Sequence, residues 1–227
     1  MYVLHIANKN YSSWSLRPWV LLHELMIPFV EVFHPFSLNT EADFLKFSPS
    51  GQMPCLQDED LVIWDSLAIT EYMAERHTSV WPNAKAARAW ARSASAEMHS
   101  GFYALRQQCP MNTGIRIRLR DHTAALQADL QRLEALWQEG LQRFGGPFLA
   151  GATFTAVDAF FAPVALRVQT YGLNLSPDAQ AYCQRLLQLA SMQQWQTEAL
   201  QETCRDDEQE QDIPVIGALL ADYRHPQ

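Results

Sequence analysis

The sequence predicts an α/β unit followed by an all-helical unit. Over residues 1–76, short apolar runs typical of strands alternate with apolar residues at helical spacing. After residue 83 the spacing is helical throughout, and runs of β-branched residues are few. The 227 residues are long enough for two small domains with a core in each. We therefore expect domains at residues 1–77 and 84–227, with residues 78–83 as the linker.

The first unit is predicted to have the order β-α-β-α-β-β-α. The expected strands are residues 2–7, 29–33, 53–57 and 61–64, and the expected helices are 16–26, 41–47 and 66–76. A helix joins the first two strands, so we expect them to be parallel. The acidic turn Asp58-Glu59-Asp60 joins the last two strands directly, which makes them antiparallel.

The second unit is predicted to be a bundle of helices. Helical patterns ended by proline or glycine place helices at residues 84–108, 116–144, 155 onward, 178–190 and 192–203. Thr155 and Asp158 have the spacing of a capping box at the start of the third helix. The acidic run 206–212 is expected to be a solvated turn before an apolar tail at 213–220.

Composition indicates a globular, cytoplasmic protein. Apolar residues make up 48% of the chain and charged residues 19%. The net charge of −8 and the lack of a Lys/Arg-rich block argue against nucleic acid or an anionic membrane surface as a partner. No apolar stretch approaches the roughly 20 residues of a membrane span, and residues 1–5 lack the charged start of a secretory signal. Four scattered cysteines, with no CxxC motif and no metal-type spacing to histidine, predict reduced thiols and no metal site.

Residues 52–66 offer two ways to hold a small peptide. Pro54 opens a strand, where a proline marks a sheet boundary or a turn and is a candidate for a cis bond. The backbone N–H and C=O of Met53 are then available to an extended ligand. Asp65 and Ser66 start a helix, whose first N–H groups favour a carboxylate. The segment therefore predicts a binding site.

Four motifs in this order resemble the glutathione transferase superfamily, along nearly the whole chain. They are Ser12-Ser13-Trp14-Ser15-Leu16-Arg17, Gln52-Met53-Pro54, Trp64-Asp65-Ser66 and Thr155-Ala156-Val157-Asp158. The Ser-Ser-x-Ser-x-Arg form is most similar to the serine-type classes, zeta- or theta-like, rather than to the tyrosine or cysteine types. The resemblance implies a thioredoxin-like N-terminal domain, an all-α C-terminal helical bundle, a homodimer, and glutathione as co-substrate.

The resemblance also implies that a serine hydroxyl stabilises the glutathione thiolate. A thiol with a pKa near 8.5 is only ~3% ionised at pH 7, and half ionisation needs a shift of roughly 1.5 units, or about 2 kcal/mol. A donated hydrogen bond and the positive end of the first helix are of the right size to supply it. The zeta-like pattern places Ser12 in this role, whereas counting back four residues from Arg17, as in theta-like patterns, places Ser13 there. Either serine could instead only cap the first helix.

The other contacts with glutathione are implied one residue at a time. Met53 would pair its backbone with the cysteinyl part of glutathione, and Pro54 would be cis to allow this. Ser66 would take the γ-glutamyl carboxylate, with Asp65 near the ammonium group. Asn39 would lie near the glycyl end.

The second substrate would meet Trp14 and the helix after the linker. In the zeta pattern a cysteine stands where this chain has Trp14, which puts maleylacetoacetate isomerase activity in doubt. His99, Tyr103 and Arg106 are spaced four and three apart, so one helical face could present all three to an anionic or carbonyl substrate. The alternative is that they form hydrogen bonds at a domain or dimer interface.

The resulting hypothesis is a glutathione transferase-like enzyme that activates the thiol for attack on a small hydrophobic electrophile. One alternative is a glutathione-dependent isomerase, maleylacetoacetate isomerase-like, or a dehalogenase that uses the same thiolate. The other is a non-catalytic glutathione-binding or regulatory protein of the same fold. Loss of the serine or of the Asp-Ser pair would mark that alternative, and both are present.

Overall fold

The first unit has the predicted order of elements. The structure is a computed structural model that describes residues 1–36, 39 and 41–224. Its first elements are β1 (Tyr2–Ile6), α1 (Ser13–Glu24), β2 (Phe29–Phe33), α2 (Glu41–Phe44), β3 (Cys55–Asp58), β4 (Leu61–Trp64) and α3 (Ser66–Ala74). The first helix begins three residues earlier than the pattern predicts, because Ser12 caps it.

These strands form one sheet in the order β2-β1-β3-β4. β1 is parallel to β2, and β3 is antiparallel to both β1 and β4. Both predicted pairings are confirmed. Leu4 and Ile6 point from β1 into the core and are fully buried, because alternate residues of a strand lie on the same face.

The second unit is mostly helical, and its central helix also packs against the first unit. Its helices are α4 (Lys85–Ser100), α5 (Tyr103–Gln108), α6 (Ala124–Phe144), α7 (Ala156–Tyr171), α8 (Pro177–Leu187), α9 (Ala190–Gln201) and α10 (Asp207–Ile216). Apart from Gln169, every residue of α7 is buried, since α7 packs against α1, α4 and α8. The predicted capping box is confirmed: Thr155 N donates to Asp158 Oδ2 at 3.0 Å.

The prediction that the second unit contains helices only is wrong. Residues 115–119 form a strand, β5 (Ile115–Leu119), and not the start of a helix at 116. β5 pairs antiparallel with β6 (Gly217–Asp222), which takes up the second half of the predicted apolar tail. Apolar Ile115, Ile117 and Leu119 alternate with arginines, and a period of two is the signature of a strand.

Two further expectations about helices are wrong. The predicted helix 84–108 is interrupted between α4 and α5, where Phe102 has a left-handed φ of 55°. The acidic run 206–212 belongs to helix α10, whose start is capped by the carboxylate of Asp206. Acidic residues in a first helical turn are favoured by the helix dipole, so the run stabilises a helix rather than a turn. None of the helices in the described part of the chain combines the length and apolarity that crossing a membrane requires.

Candidate functional site

Two adjoining cavities lie beside the starts of α1 and α3. The small cavity, of about 350 Å³, is lined by Trp14, Ser50, Gln52, Met53, Pro54, Trp64, Asp65 and Ser66. The large cavity, of about 530 Å³, is lined by Tyr11, Ser12, Ser13, Trp14, Phe36, Phe44, Gly51, Gln52, Met53, Arg106, Pro110, Met111, Arg167 and Gln209. Trp14, Gln52 and Met53 border both cavities. A ligand held in one can therefore reach into the other.

Met53 presents its backbone to the small cavity. The Met53–Pro54 peptide bond is cis, as the resemblance implied. Met53 lies just before β3, and its N–H and C=O form no hydrogen bond with any other described residue. An extended ligand backbone therefore has one donor and one acceptor available to it, as in strand addition at a sheet edge.

Asp65 and Ser66 start α3 at the opposite wall of the small cavity. Asp65 Oδ1 accepts hydrogen bonds from Leu67 N at 2.7 Å and Ala68 N at 3.3 Å, so Asp65 is the N-cap. Its φ of 74° is in the left-handed region, a conformation that non-glycine residues adopt mainly where the surroundings impose it. Ser66 is fully buried, and its Oγ accepts from Arg17 Nη1 at 3.4 Å. The hydroxyl proton of Ser66 is therefore left to donate to an anionic ligand.

Ser12 and Ser13 stand at the start of α1 and differ in what they bind. Ser12 Oγ accepts from Ser15 N at 3.3 Å and donates to Ser15 Oγ at 2.7 Å, so its hydroxyl is fully used as the helix cap. Ser13 Oγ accepts from Arg167 Nη2 at 3.4 Å, and its proton has no acceptor among the described residues. The N–H of Trp14 in the same helical turn is likewise without an acceptor there. Ser13 and this N–H together present two donors to a ligand.

Trp14 is held between two guanidinium groups. The centre of its ring lies 4.2 Å from Arg17 Cζ and 4.7 Å from Arg106 Cζ. Such cation–π contacts fix the indole at the border of the two cavities. Burial lowers the pKa of Arg17, and the nearby Arg106 and Arg167 lower it further.

Arg167 extends from α7 into the wall of the large cavity. Its Nε donates to the carbonyl of Cys109 at 2.8 Å, and its side chain is almost completely buried. Burial lowers its pKa to about 10, with repulsion from Arg106 as the second cause. The hydrogen bonds from Arg167 to the loop after α5 and to Ser13 connect three elements of the site.

The predicted residues of the helical unit come only partly together. His99 Nε2 lies 3.3 Å from Asp65 Oδ2, and its ring packs edge-on against Trp14. His99 thus contacts two residues that line the small cavity. Burial lowers the pKa of His99; Asp65 acts in the opposite direction. Arg106 lines the large cavity, whereas Tyr103 is 70% exposed and lines neither cavity. The expectation that His99, Tyr103 and Arg106 lie on one helical face is wrong, because α4 ends at Ser100, before Tyr103.

Asn39 does not line either cavity in the described part of the structure. Its side-chain amide donates to the carbonyl of Pro35 at 2.8 Å, which commits it to its own loop. The thiol of Cys55 is buried beside the site. Burial raises its pKa to about 11, so it stays protonated at neutral pH.

The sequence reasoning missed Arg167 and several walls of the large cavity. Residues 159–166 are apolar throughout, and a lone arginine at the end of such a run is a usable signal, because arginine is rarely buried without a function or a partner. Phe36 and Phe44 carry no such local signal. Their place in the wall depends on tertiary packing rather than on neighbours in the sequence.

Comparison with known proteins identifies the class that this fold and site define. The model of the glutathione S-transferase N-terminal domain matches residues 11–76, and that of the C-terminal domain matches residues 84–185. The chain belongs to the glutathione S-transferase superfamily.

The relatives include a glutathione S-transferase and a stringent starvation protein A homolog. Glutathione S-transferase GstB of Escherichia coli is 26% identical over 189 residues, which cover 77% of this chain and 88% of that protein. The stringent starvation protein A homolog of Pasteurella multocida is 26% identical over 136 residues, covering 59% of this chain and 60% of that protein. The solved theta class glutathione S-transferase of Xanthomonas axonopodis pv. citri, with glutathione bound, has a TM-score of 0.65 at 20% identity, over 85% of this chain and 95% of that one. This last likeness shows a common fold.

Proposed function

We propose that the protein binds glutathione in the small cavity and stabilises its thiolate beside Ser13, for attack on an electrophile in the large cavity. The observation that carries this proposal is the continuity of the two cavities. Met53, with its free backbone, and Ser66 border the small one, and Ser13, whose hydroxyl has no acceptor among the described residues, borders the large one. Family membership and the glutathione found in related solved structures support it.

The hydrogen bonds favour Ser13 over Ser12 as the thiol partner. Ser12 would have to give up its bond to Ser15 Oγ before it could donate to sulfur. Ser13 has no such bond to break, and the guanidinium of Arg167 occupies a lone pair of its oxygen. A donor that is already polarised by a cation forms the stronger hydrogen bond to an anion.

The chemistry needs little from the protein beyond this stabilisation. The sulfur lone pair forms a bond to an electrophilic carbon, the leaving group departs with its bonding pair, and the thiol proton passes to solvent. Lowering the thiol pKa from about 8.5 to 7 corresponds to about 2 kcal/mol. One charge-assisted hydrogen bond from Ser13 contributes about 1.5–3 kcal/mol, and the helix start adds to it.

A regulatory protein of the same fold is the second candidate. The stringent starvation protein A homologs among the relatives favour it. An isomerase or dehalogenase would use the same thiolate and would differ only in the fate of the product.

From family membership we further propose that the protein is a homodimer and that it lies in the cytoplasm.

The test is an ultraviolet titration of the thiolate in the glutathione complex. The wild-type complex is expected to show a lowered thiol pKa, and Ser13→Ala to raise it by about 1–2 units, with glutathione affinity nearly unchanged. Ser12→Ala is the matched control. It should cost about 1 kcal/mol of stability as a lost helix cap, and leave the thiol pKa unchanged.

A rise in thiol pKa in Ser12→Ala alone would show that Ser12 is the thiol partner. A wild-type protein that binds glutathione without lowering its thiol pKa would favour the regulatory candidate instead.

A further inference from the structure

Two arginines of the large cavity keep a nitrogen without a partner. Arg106 Nε donates to Gly101 O at 2.9 Å, and its Nη2 donates to Met98 O and His99 O. Arg167 uses Nε and Nη2 for Cys109 O and Ser13 Oγ. In both residues Nη1 has no hydrogen-bond partner among residues 1–36, 39 and 41–224, and both residues line the large cavity. The two Nη1 amino groups are therefore available to a ligand in this cavity.

The positive charge at this cavity is not balanced by the described residues. Its described lining contains no Asp or Glu. The carboxylate of Glu210 approaches through Tyr11 but is paired with Arg224, with Nη2 at 3.0 Å from Oε2, and the same guanidinium also pairs with Asp222. Asp65 lies against His99. Burying cations without a counter-charge is costly, so an anion in the cavity would be favoured strongly.

The pKa shifts of Arg106 and Arg167 agree with the absence of a carboxylate from the described lining of the large cavity. Burial lowers the pKa of Arg106 and of Arg167, and for Arg167 the repulsion from Arg106 adds to the effect. A bound anion would relieve both causes, because it solvates the cations and screens their repulsion.

Apolar side chains make up another part of the cavity wall, beside polar ones that include Gln52 and Gln209. Phe36, Phe44 and Met111 are apolar residues of its lining, together with Trp14. We propose that the second substrate is an electrophile with an apolar body and a carboxylate or sulfonate group, and that Arg106 and Arg167 bind this anionic group. The inference rests on the proposed function, since it names the substrate class of the same site.

The γ-glutamyl carboxylate of glutathione does not account for the two arginines. It has Ser66 and the start of α3 in the small cavity, whose described lining includes neither Arg106 nor Arg167. The two cavities therefore differ in charge. The difference predicts selectivity between second substrates rather than affinity for glutathione.

The experiment compares a chlorodinitrobenzoate with its methyl ester. In both reactions the glutathione sulfur forms a bond to the ring carbon, chloride departs with the bonding pair, and the thiol proton goes to solvent. Each kcat/KM is divided by the uncatalysed rate constant with glutathione, which removes the difference in ring activation. The wild-type protein is expected to prefer the anionic probe by about 10–100-fold, the size of one hydrogen-bonded charge pair.

Arg106→Gln and Arg167→Gln are each expected to reduce that preference about tenfold or more, with a smaller change for the ester. Arg143→Gln is the matched control, because Arg143 is exposed at the end of α6 and pairs with Glu139; it should leave the preference unchanged. Equal use of the two probes by the wild-type protein, or an unchanged preference in both arginine variants, would overturn the proposal.

Binding provides a second test that needs neither turnover nor a variant. Calorimetry with dinitrobenzoate and dinitrobenzamide, which have no leaving chloride, should show tighter binding of the anion by about tenfold or more, with or without glutathione. Anion selectivity without any lowering of the thiol pKa would support the anion site and refute the transferase proposal. A lowered thiol pKa with equal binding of the two probes would support the transferase proposal and refute the anion site.

Discussion

The small and large cavities are built from different parts of the chain. The small cavity uses backbone groups and the start of a helix. All of its lining residues except Trp14 lie between residues 50 and 66. The large one uses residues from α1, α2, α5, α7 and α10 and from the loops between them. One short segment can therefore encode the first binding surface. The second depends on how helices distant in sequence pack together.

This difference also separates their chemistry. Backbone N–H and C=O groups recognise another peptide, whatever the side chains around them. Guanidinium groups and aromatic rings select by charge and shape. We expect changes to the first surface to alter glutathione binding, and changes to the second to alter the choice of electrophile. Three predictions test this division, from the largest expected effect to the smallest.

The largest effect is expected where α7, the helix that carries Arg167, is anchored. Asp158 is completely buried and accepts hydrogen bonds from Leu149 N at 3.0 Å, Thr155 N at 3.0 Å and Tyr182 Oη at 2.9 Å. Asp158→Ala would leave these buried donors unpaired, so we expect a loss of about 3–5 kcal/mol in the free energy of unfolding. Urea unfolding measures it.

Asp178→Ala is the matched control for this variant. Asp178 lies in the first turn of α8, where it is exposed, and its loss should cost under about 1 kcal/mol. A loss from Asp158→Ala that is no larger than the control would show that the capping box does not anchor α7.

The second prediction concerns the small cavity. Ser66→Ala removes a buried hydroxyl whose proton is proposed to bind a carboxylate of glutathione, so glutathione Kd should rise about 10–100-fold. The preference between the anionic and neutral electrophiles should not change. Isothermal calorimetry measures the first quantity, and the probe pair measures the second.

Ser93→Ala is the control, since Ser93 is exposed on α4 and its Oγ bonds only to Ala89 O. The division between the two cavities breaks down if Ser66→Ala changes electrophile selectivity as much as glutathione affinity.

The unequal success of sequence reasoning follows the same division. The strands and helices of residues 1–76 are predictable because their periods are local and their turns carry Pro, Gly or acidic residues. The Met53–Pro54 and Asp65-Ser66 surfaces could be predicted for the same reason. Arg167 could not be placed from its neighbours, because its position depends on the packing of α7 against α1.

Two of the errors have different physical origins. The strand β5 carries a period-two pattern from Ile115 to Leu119 that sequence reasoning passed over. The break before α5 has a weaker signal, the single Gly101 at the C-cap of α4, and the left-handed φ of 55° at the buried Phe102 has no signal of its own. Because α4 ends at Ser100 and α5 starts afresh at Tyr103, Tyr103 does not continue the helical face that carries His99.

The smallest effect, a change in the pH dependence of stability, is expected for two histidines of the first unit, His5 in β1 and His34 just after β2. His5 Nδ1 and His34 Nε2 share a hydrogen bond of 2.9 Å, and both rings stack on Phe47. Burial lowers the pKa of both imidazoles, and for His5 the neighbouring His34 lowers it further. Below pH of about 6.5 the unfolded chain therefore takes up protons that the folded chain resists.

Stability should accordingly be fully present above about pH 6.5 and fall as the pH decreases below it. His34→Gln keeps a hydrogen-bonding side chain beside His5 but removes one titrating group, so its unfolding free energy should fall less steeply over the same range. The exposed His122 supplies the control, and His122→Gln should leave the slope as it is in the wild-type protein. Urea unfolding at several pH values measures all three slopes. Parallel curves for the wild type and His34→Gln would show that the histidine pair does not make the sheet sensitive to acid.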